Sequence, residues 1–126
     1  MKLYFAIIFI AIHSALGFGQ EAEFLFKGKT TIKWDKAAEG EKLEHYFVFE
    51  NSGKQPLIIQ DTKVACTCTK VEFPKGPVAP GQLDSIHVIF DTKEKYYHQD
   101  RVIELVANTR KTEKLRMTVY VIPKGE

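Results

Sequence analysis

The chain has 126 residues, of which 44% are hydrophobic and 27% are charged, and its formal net charge is +2. This length suits one domain with one modest core. So small a net charge gives no electrostatic basis for binding nucleic acid or an anionic membrane surface.

The N-terminus has the pattern of a secretory signal peptide. Lys2 forms a short positive region, Leu3 to Leu16 is largely apolar, and Gly17 and Gly19 are small residues beside a cleavage point. The apolar run is shorter than the roughly 18 to 20 residues that span a bilayer, although an uncleaved anchor remains the alternative. We expect residues 1–19 to be a signal peptide, residues 20–126 to be a single domain, and the mature protein to be periplasmic or secreted, with no membrane span after cleavage.

The rest of the sequence carries strand patterns and no helical periodicity. In the first half, Phe24–Phe26 and Thr30–Trp34 predict short strands, and Ala37–Glu41 predicts a loop. The alternating stretch Leu43–Glu50 predicts a long strand that ends in the turn Asn51–Gly53.

The second half predicts further strands at Leu57–Val64, Lys70–Phe73, Gln82–Thr92, Arg101–Ala107 and Leu115–Val121. Pro80 and Gly81 suit the central positions of a type II turn. About seven short strands with frequent turns are typical of an immunoglobulin-like antiparallel β-sandwich, and a small barrel is the rival fold. The predicted core comprises Phe47, Phe49, Ile58, Ile86, Val88, Phe90, Leu105, Leu115, Met117 and Val119.

Several short motifs resemble, in order, those of the bacterial family called domain of unknown function 1573, which is related to immunoglobulin-like domains of the ASPM, SPD-2 and Hydin type. The matching segments are Glu41–Gly53, Pro56–Ile59, Cys66–Thr69, Gly76–Gly81, Phe90–Thr92 and Asn108. The resemblance covers about Phe24 to Ile122. It implies an immunoglobulin-like fold and export in Bacteroidota-like bacteria, and it implies no activity.

The Cys66/Cys68 pair is the chemically suggestive feature of the chain. The usual family motif is Cys-Gly-Cys-Thr, and Thr67 replaces its glycine here. In an extended strand, residues two apart lie about 6.5 to 7 Å apart at Cα, at the far edge of disulfide geometry. Because β-branched Thr67 favours the extended form, it disfavours an intrachain bridge.

Three interpretations of the pair stay open: a structural pair, bridged or as thiols, which we favour; a redox-labile pair; or a soft-metal site. A metal would need further ligands, and the candidates are His45, His87, His98 and Met117.

Other histidines and aromatic residues have simpler interpretations. His45 shares a face with Phe47, which predicts a core or rim residue. His87 falls on the face opposite Ile86, which predicts exposure to solvent. Residues 93–100 predict a polar hairpin loop, in which Tyr96, Tyr97 and His98 pack across the sandwich end or form a contact patch.

No catalytic motif or phosphate-binding loop occurs in the sequence. The sequence therefore favours an exported, non-catalytic binding or structural module of the bacterial envelope, without a cofactor and with an unidentified protein or envelope partner. The alternative is a thiol-redox or soft-metal-binding protein that uses Cys66 and Cys68.

Overall fold

The structure, a computed structural model, describes residues 21–126. The predicted signal peptide at residues 1–19 lies outside this range. The strands are β1 (Phe24–Phe26), β2 (Thr31–Ala38), β3 (Lys42–Asn51), β4 (Ile59–Val64), β5 (Thr69–Glu72), β6 (Leu83–Asp91), β7 (Tyr97–Ala107) and β8 (Glu113–Ile122). Among these described elements no helix is long and apolar enough to cross a bilayer.

The strands form two four-stranded sheets with the orders β1-β3-β6-β5 and β2-β8-β7-β4. We refer to them as the first and the second sheet. Their inner faces pack together, because alternating strands place every second apolar side chain on the same side. The predicted immunoglobulin-like β-sandwich is therefore confirmed.

One strand pair departs from the expected antiparallel arrangement. β2 runs parallel to β8, with Thr31 opposite Arg116 and Ala38 opposite Ile122, while the other pairs are antiparallel. This pairing extends β2 through Ala37 and Ala38, where the sequence predicted a loop. Small residues with low strand propensity are held in the strand by backbone bonds to β8, a tertiary effect that overrides local preference.

Nearly all of the core residues predicted from alternation are buried in the structure, and Ile58 is the exception. Its side chain is 40% exposed, whereas its neighbour Leu57 is fully buried. Leu57 forms a bridge with Val78, and Ile59 begins β4 with its side chain inward. Ile58 therefore points outward between them, and its N–H donates to Oδ1 of Asn108 at 2.8 Å.

The type II turn at Pro80–Gly81 is confirmed. The N–H of Gln82 donates to the carbonyl of Ala79 at 2.9 Å, and Gly81 has a φ of 79°. Glycine adopts this backbone conformation without the steric cost that a side chain would add. The hairpin loop was predicted too long, because β7 already begins at Tyr97 and His98 pairs with Tyr120.

Candidate functional site

Cys66 and Cys68 lie in the short connection from β4 in the second sheet to β5 in the first. The N–H of Thr69 donates to the carbonyl of Cys66 at 3.2 Å, which closes a tight turn with Thr67 and Cys68 at its centre. The expectation that Thr67 would hold the backbone extended is wrong here, because the chain must reverse to change sheets. The turn brings the two Cα atoms to 5.1 Å, and the sulfurs are bonded.

The disulfide rests against the edge of the core. Cys68 is partly buried and packs against the core cluster, and its carbonyl accepts a hydrogen bond from the N–H of Asp91 at 2.9 Å. Thr69 is buried directly after it. The bridged turn therefore lies at one corner of the sandwich, where the Asp91–Cys68 hydrogen bond joins it to the end of β6.

The candidate metal ligands lie on different strands of the sandwich. Met117 is buried in the core, while His98 lies in β7 of the second sheet. Within residues 21–126 no group of three or more His, Cys, Asp or Glu side chains is arranged to hold a metal ion. The soft-metal interpretation thus finds no ligand set in the described part of the chain.

His45 lies at the rim of the core, as its pattern predicted. Its ring is half-buried and meets Phe47 edge to face, with the ring centroids 4.7 Å apart. Burial lowers the pKa of His45, because the apolar surroundings disfavour the charged imidazolium.

His87 is on the predicted face, but the expected exposure to solvent is wrong, since only 15% of its side chain is exposed. The ring stacks on Tyr46 with 4.1 Å between centroids. Its Nδ1 is 3.2 Å from Glu72 and its Nε2 is 3.4 Å from Glu44, so two carboxylates flank it. The hydrogen bond from His87, followed by contacts with Lys70, lowers the pKa of the Glu72 carboxyl. The side chains that cover His87 come from the neighbouring strands β3 and β5. Alternation within β6 does not reveal which strands lie beside it.

The outer face of the first sheet also carries an apolar surface that the sequence did not suggest. We call it the outer patch: Leu25, Tyr46, Val48 and Leu83, all of them exposed. Register brings them together, because Glu50 pairs with both Leu25 and Leu83, and Val48 lies two residues before Glu50. The alternation in β3 correctly placed Tyr46 and Val48 on the outer face. Which residues lie beside them depends on the order of the strands, which the sequence did not reveal.

The outer face of the second sheet also mixes exposed apolar side chains with charged ones. Its exposed large apolar residues include Val102 and Tyr120, and a salt bridge between Arg116 and Asp100 lies on the same face. The Nε of Arg116 donates to Oδ1 of Asp100 at 2.8 Å, and this bond lowers the pKa of the Asp100 carboxyl. Charged side chains therefore interrupt the apolar ones on this face.

The sequence profile described as "Protein of unknown function (DUF1573)" matches residues 25–121. The chain belongs to the DUF1573 family. A search of curated proteins found no match.

Solved structures show the same fold at low sequence identity. A protein of unknown function from Porphyromonas gingivalis W83 is 14% identical, with a TM-score of 0.70 over 86% of this chain and 51% of its own. The ASH / PapD-like domain 7 of human CEP192 is 11% identical, with a TM-score of 0.61 over 83% of this chain and 87% of its own. The VesB protease of Vibrio cholerae is 14% identical, with a TM-score of 0.58 over 78% of this chain and 31% of its own. The chain thus spans about half of the Porphyromonas protein and about a third of VesB.

Several polar residues of the DUF1573 motifs stabilise the fold. Asn51 is fully buried; its Nδ2 donates to the carbonyls of Gln55 and Val78, and its Oδ1 accepts from the N–H groups of Glu23 and Gly53. The four bonds satisfy the whole amide, as a buried polar group requires. Asn51 therefore has a structural role in this chain.

Thr92 and Asn108 have similar roles elsewhere in the DUF1573 domain. The hydroxyl of Thr92 donates to the carbonyl of Glu41 at 2.6 Å and joins the end of β6 to the start of β3. The side chain of Asn108 donates to the carbonyl of Pro56 at 2.9 Å and supports the chain before β4. These residues stabilise the fold of this chain, and they identify no reaction.

Proposed function

We propose that this DUF1573 protein is an exported, non-catalytic module of the bacterial envelope, which binds another protein through the outer face of its first sheet. The observation that carries the proposal is the outer patch. Tyr46 and Leu83 are each 56% exposed, and Leu25 and Val48 lie next to them. Adjacent exposed apolar side chains rimmed by polar residues are characteristic of protein interfaces.

The rim of the outer patch adds charge specificity. Glu50 lies between Leu25 and Leu83 in the register and bonds with Lys27 at 3.4 Å, while Glu44 and Glu72 flank His87. Lys42 and Lys70 also lie on this face, and Lys70 pairs with Glu72 at 3.1 Å, so carboxylates and ammonium groups are mixed along it. A partner with charged residues of both signs around an apolar centre fits such a surface, because complementary charge directs association and rejects other partners.

Site-specific photo-cross-linking in the source organism tests the proposed surface. A photoreactive residue at Leu83 or Tyr46 should capture a defined partner, and the same residue at Val102, on the outer face of the second sheet, should not. The Leu83→Asp variant should abolish capture from position 46 while the protein stays folded. Equal capture from both faces, or capture that survives Leu83→Asp, would refute the proposed surface.

Export is tested separately by fractionation and N-terminal sequencing. We expect the protein outside the inner membrane, beginning near Gln20. A protein that retains Met1 to Leu16 in the inner membrane contradicts the exported part of the proposal and leaves the binding surface untouched.

A redox role for Cys66 and Cys68 is the second candidate function, and the bonded pair in a surface turn favours it. A Cys66→Ala/Cys68→Ala variant that folds normally but behaves like a gene deletion would support this role. If the double cysteine variant instead still captures the same partner through Leu83, binding explains the function without a redox role.

A further inference from the structure

One edge of β3 is only partly covered. β1 pairs with Phe49–Asn51 through three residues, and the N–H of Lys27 then donates to the carbonyl of Val48 at 2.9 Å. After Lys27 the chain leaves for the second sheet, while β3 continues to Lys42. Among residues 21–126, no strand pairs with this side of β3 between Lys42 and Phe47.

The hydrogen-bond pattern shows which backbone groups are directed at the open edge. Val48 and Ser52 bond towards β1, through the N–H of Lys27 and the carbonyl of Glu23. Asn51, an odd-numbered residue, bonds in the other direction, to the carbonyl of Gln82. Because backbone groups alternate along a strand, Glu44 and Tyr46 direct their N–H and C=O groups out of the open edge.

A groove lies directly beside this edge. It has a volume of about 450 Å³, and its apolar lining is Phe26, Ile32 and Phe47. His45 also lines it, and the turn at Gly28 forms its wall. The groove opens between the two sheets, where β1 stops short. A side chain pointing inward from a strand beside β3 would therefore enter an apolar space.

We propose that an extended peptide of a partner protein binds here as an added strand, antiparallel to β3 along Lys42–Phe47, with an apolar side chain in the groove. This inference rests on the proposed protein-binding function and specifies the form of the partner. Unpaired N–H and C=O groups at every second residue match only an extended backbone. The antiparallel direction continues the ladder that β1 begins.

Charge specifies the peptide further. Residues opposite Phe47 and His45 point inward and should be apolar. Residues opposite Glu44 and Lys42 point outward, where opposite charges are favoured across strands. The matching pattern is an alternating segment with a basic residue opposite Glu44 and an acidic residue opposite Lys42.

A second copy of this chain fits the edge less well. Two β3 edges meeting antiparallel about Glu44 would place two carboxylates opposite each other, which is destabilising, whereas pairing about Leu43 would set Glu44 opposite Lys42. The open stretch of six residues is also only about 20 Å long. An edge so short falls far below the roughly 1,200 Å² that stable protein pairs bury.

Amide hydrogen exchange of the purified protein tests the proposal, with the acetylated and amidated hexapeptide Val-Thr-Val-Lys-Val-Glu as the probe. In the free protein, the amides of Glu44 and Tyr46 should exchange quickly and those of His45 and Phe47 slowly. Millimolar peptide should slow Glu44 and Tyr46 by about tenfold or more. A peptide N-methylated at its threonine and lysine should bind about thirtyfold more weakly, since it loses two backbone bonds of about 1 kcal/mol each.

A charge exchange supplies the matched control. The peptide with its lysine and glutamate interchanged should bind about two- to fivefold more weakly, and Glu44→Lys should reverse that preference. Glu104→Lys, the same change on the second sheet, should leave it unaltered.

Unchanged exchange at Glu44 and Tyr46 in millimolar peptide would overturn the strand addition, and so would equal binding of the N-methylated peptide. Slowing that depends on protein concentration without peptide would also overturn it, in favour of self-pairing. If cross-linking from Leu83 succeeds while these tests fail, the binding function stands and only the added strand is lost.

Discussion

Two of the connections that carry the chain between the sheets are held by different chemistry. The link from β3 to β4 is fixed by the buried amide of Asn51, whose partners include Glu23 and Val78, 28 and 27 residues away. The link from β4 to β5 is fixed by the Cys66–Cys68 bond, with a sequence separation of 2. One amide thus joins distant segments of the fold, whereas the covalent bond constrains only its own turn. The strength of a bond therefore does not measure its contribution to the fold.

The largest expected effect is at Asn51. Asn51→Ala removes four hydrogen bonds, and although the Val78 carbonyl keeps the N–H of Leu57 as a donor, the carbonyl of Gln55 and the N–H groups of Glu23 and Gly53 lose the Asn51 amide. Buried unsatisfied groups cost about 1 to 3 kcal/mol each. After partial rescue by water, we expect a loss of about 2 to 4 kcal/mol in the free energy of unfolding, measured by chemical denaturation. Asn108→Ala, which removes two bonds at an exposed site, is the control and should cost less than about 1 kcal/mol. Equal losses of unfolding free energy in Asn51→Ala and Asn108→Ala would show that burial of the amide does not increase its contribution to stability.

Gly53 should rank next, because the N-terminal segment passes directly over it. A Cβ at this position would lie 1.9 Å from the carbonyl oxygen of Glu21 and 2.7 Å from Cα of Ala22. Gly53→Ala should therefore displace the segment and cost about 2 kcal/mol, with faster exchange of the Lys54 amide that bonds to Glu21. Gly76→Ala is the control, since nothing lies within 4 Å of its added Cβ. Unchanged exchange of the Lys54 amide in Gly53→Ala would contradict this prediction.

The disulfide should contribute less than Asn51. Closing so small a loop removes little entropy from the unfolded chain, about 1.5 kcal/mol in the chain-entropy model. We expect Cys66→Ala/Cys68→Ala to lower the free energy of unfolding by no more than that. Reductant should lower the wild-type stability by the same amount and leave the variant unchanged. A loss above about 3 kcal/mol would mean that the bridge stabilises more than its own turn.

The smallest expected effect is local and follows reduction without global unfolding. The amides of Thr69 and Asp91 bond to the carbonyls of Cys66 and Cys68, so their exchange should accelerate when the bridge opens. The amides of Lys54 and Gly81, at the Asn51 connection, should not change. Acceleration at both connections would show that the two are coupled.

Sequence patterns predicted the faces of strands well and their neighbours poorly. Alternation in β3, β6 and β8 placed Phe49, Phe90 and Met117 correctly, because burial of one face imposes a period of two. The parallel pairing of β2 with β8 was missed, since no local pattern encodes which strand lies beside another.

The candidate sites show the same division. The position of the Cys66/Cys68 pair was evident, but its turn was not, because the crossing between sheets overrides the extended preference of Thr67. The outer patch and the open edge of β3 depend on the order of β1, β3 and β6. They could not be inferred before that order was known.

The central position of β8 also sets an order for assembly during synthesis. All strands of the first sheet precede Thr92, so that sheet can form early. The second sheet stays divided until β8, the last strand, arrives between β2 and β7. A ribosome-bound chain that ends before Glu113 can therefore complete one sheet but leaves its apolar inner side uncovered. Such an intermediate exposes apolar surface until β8 is added, which makes it prone to aggregation.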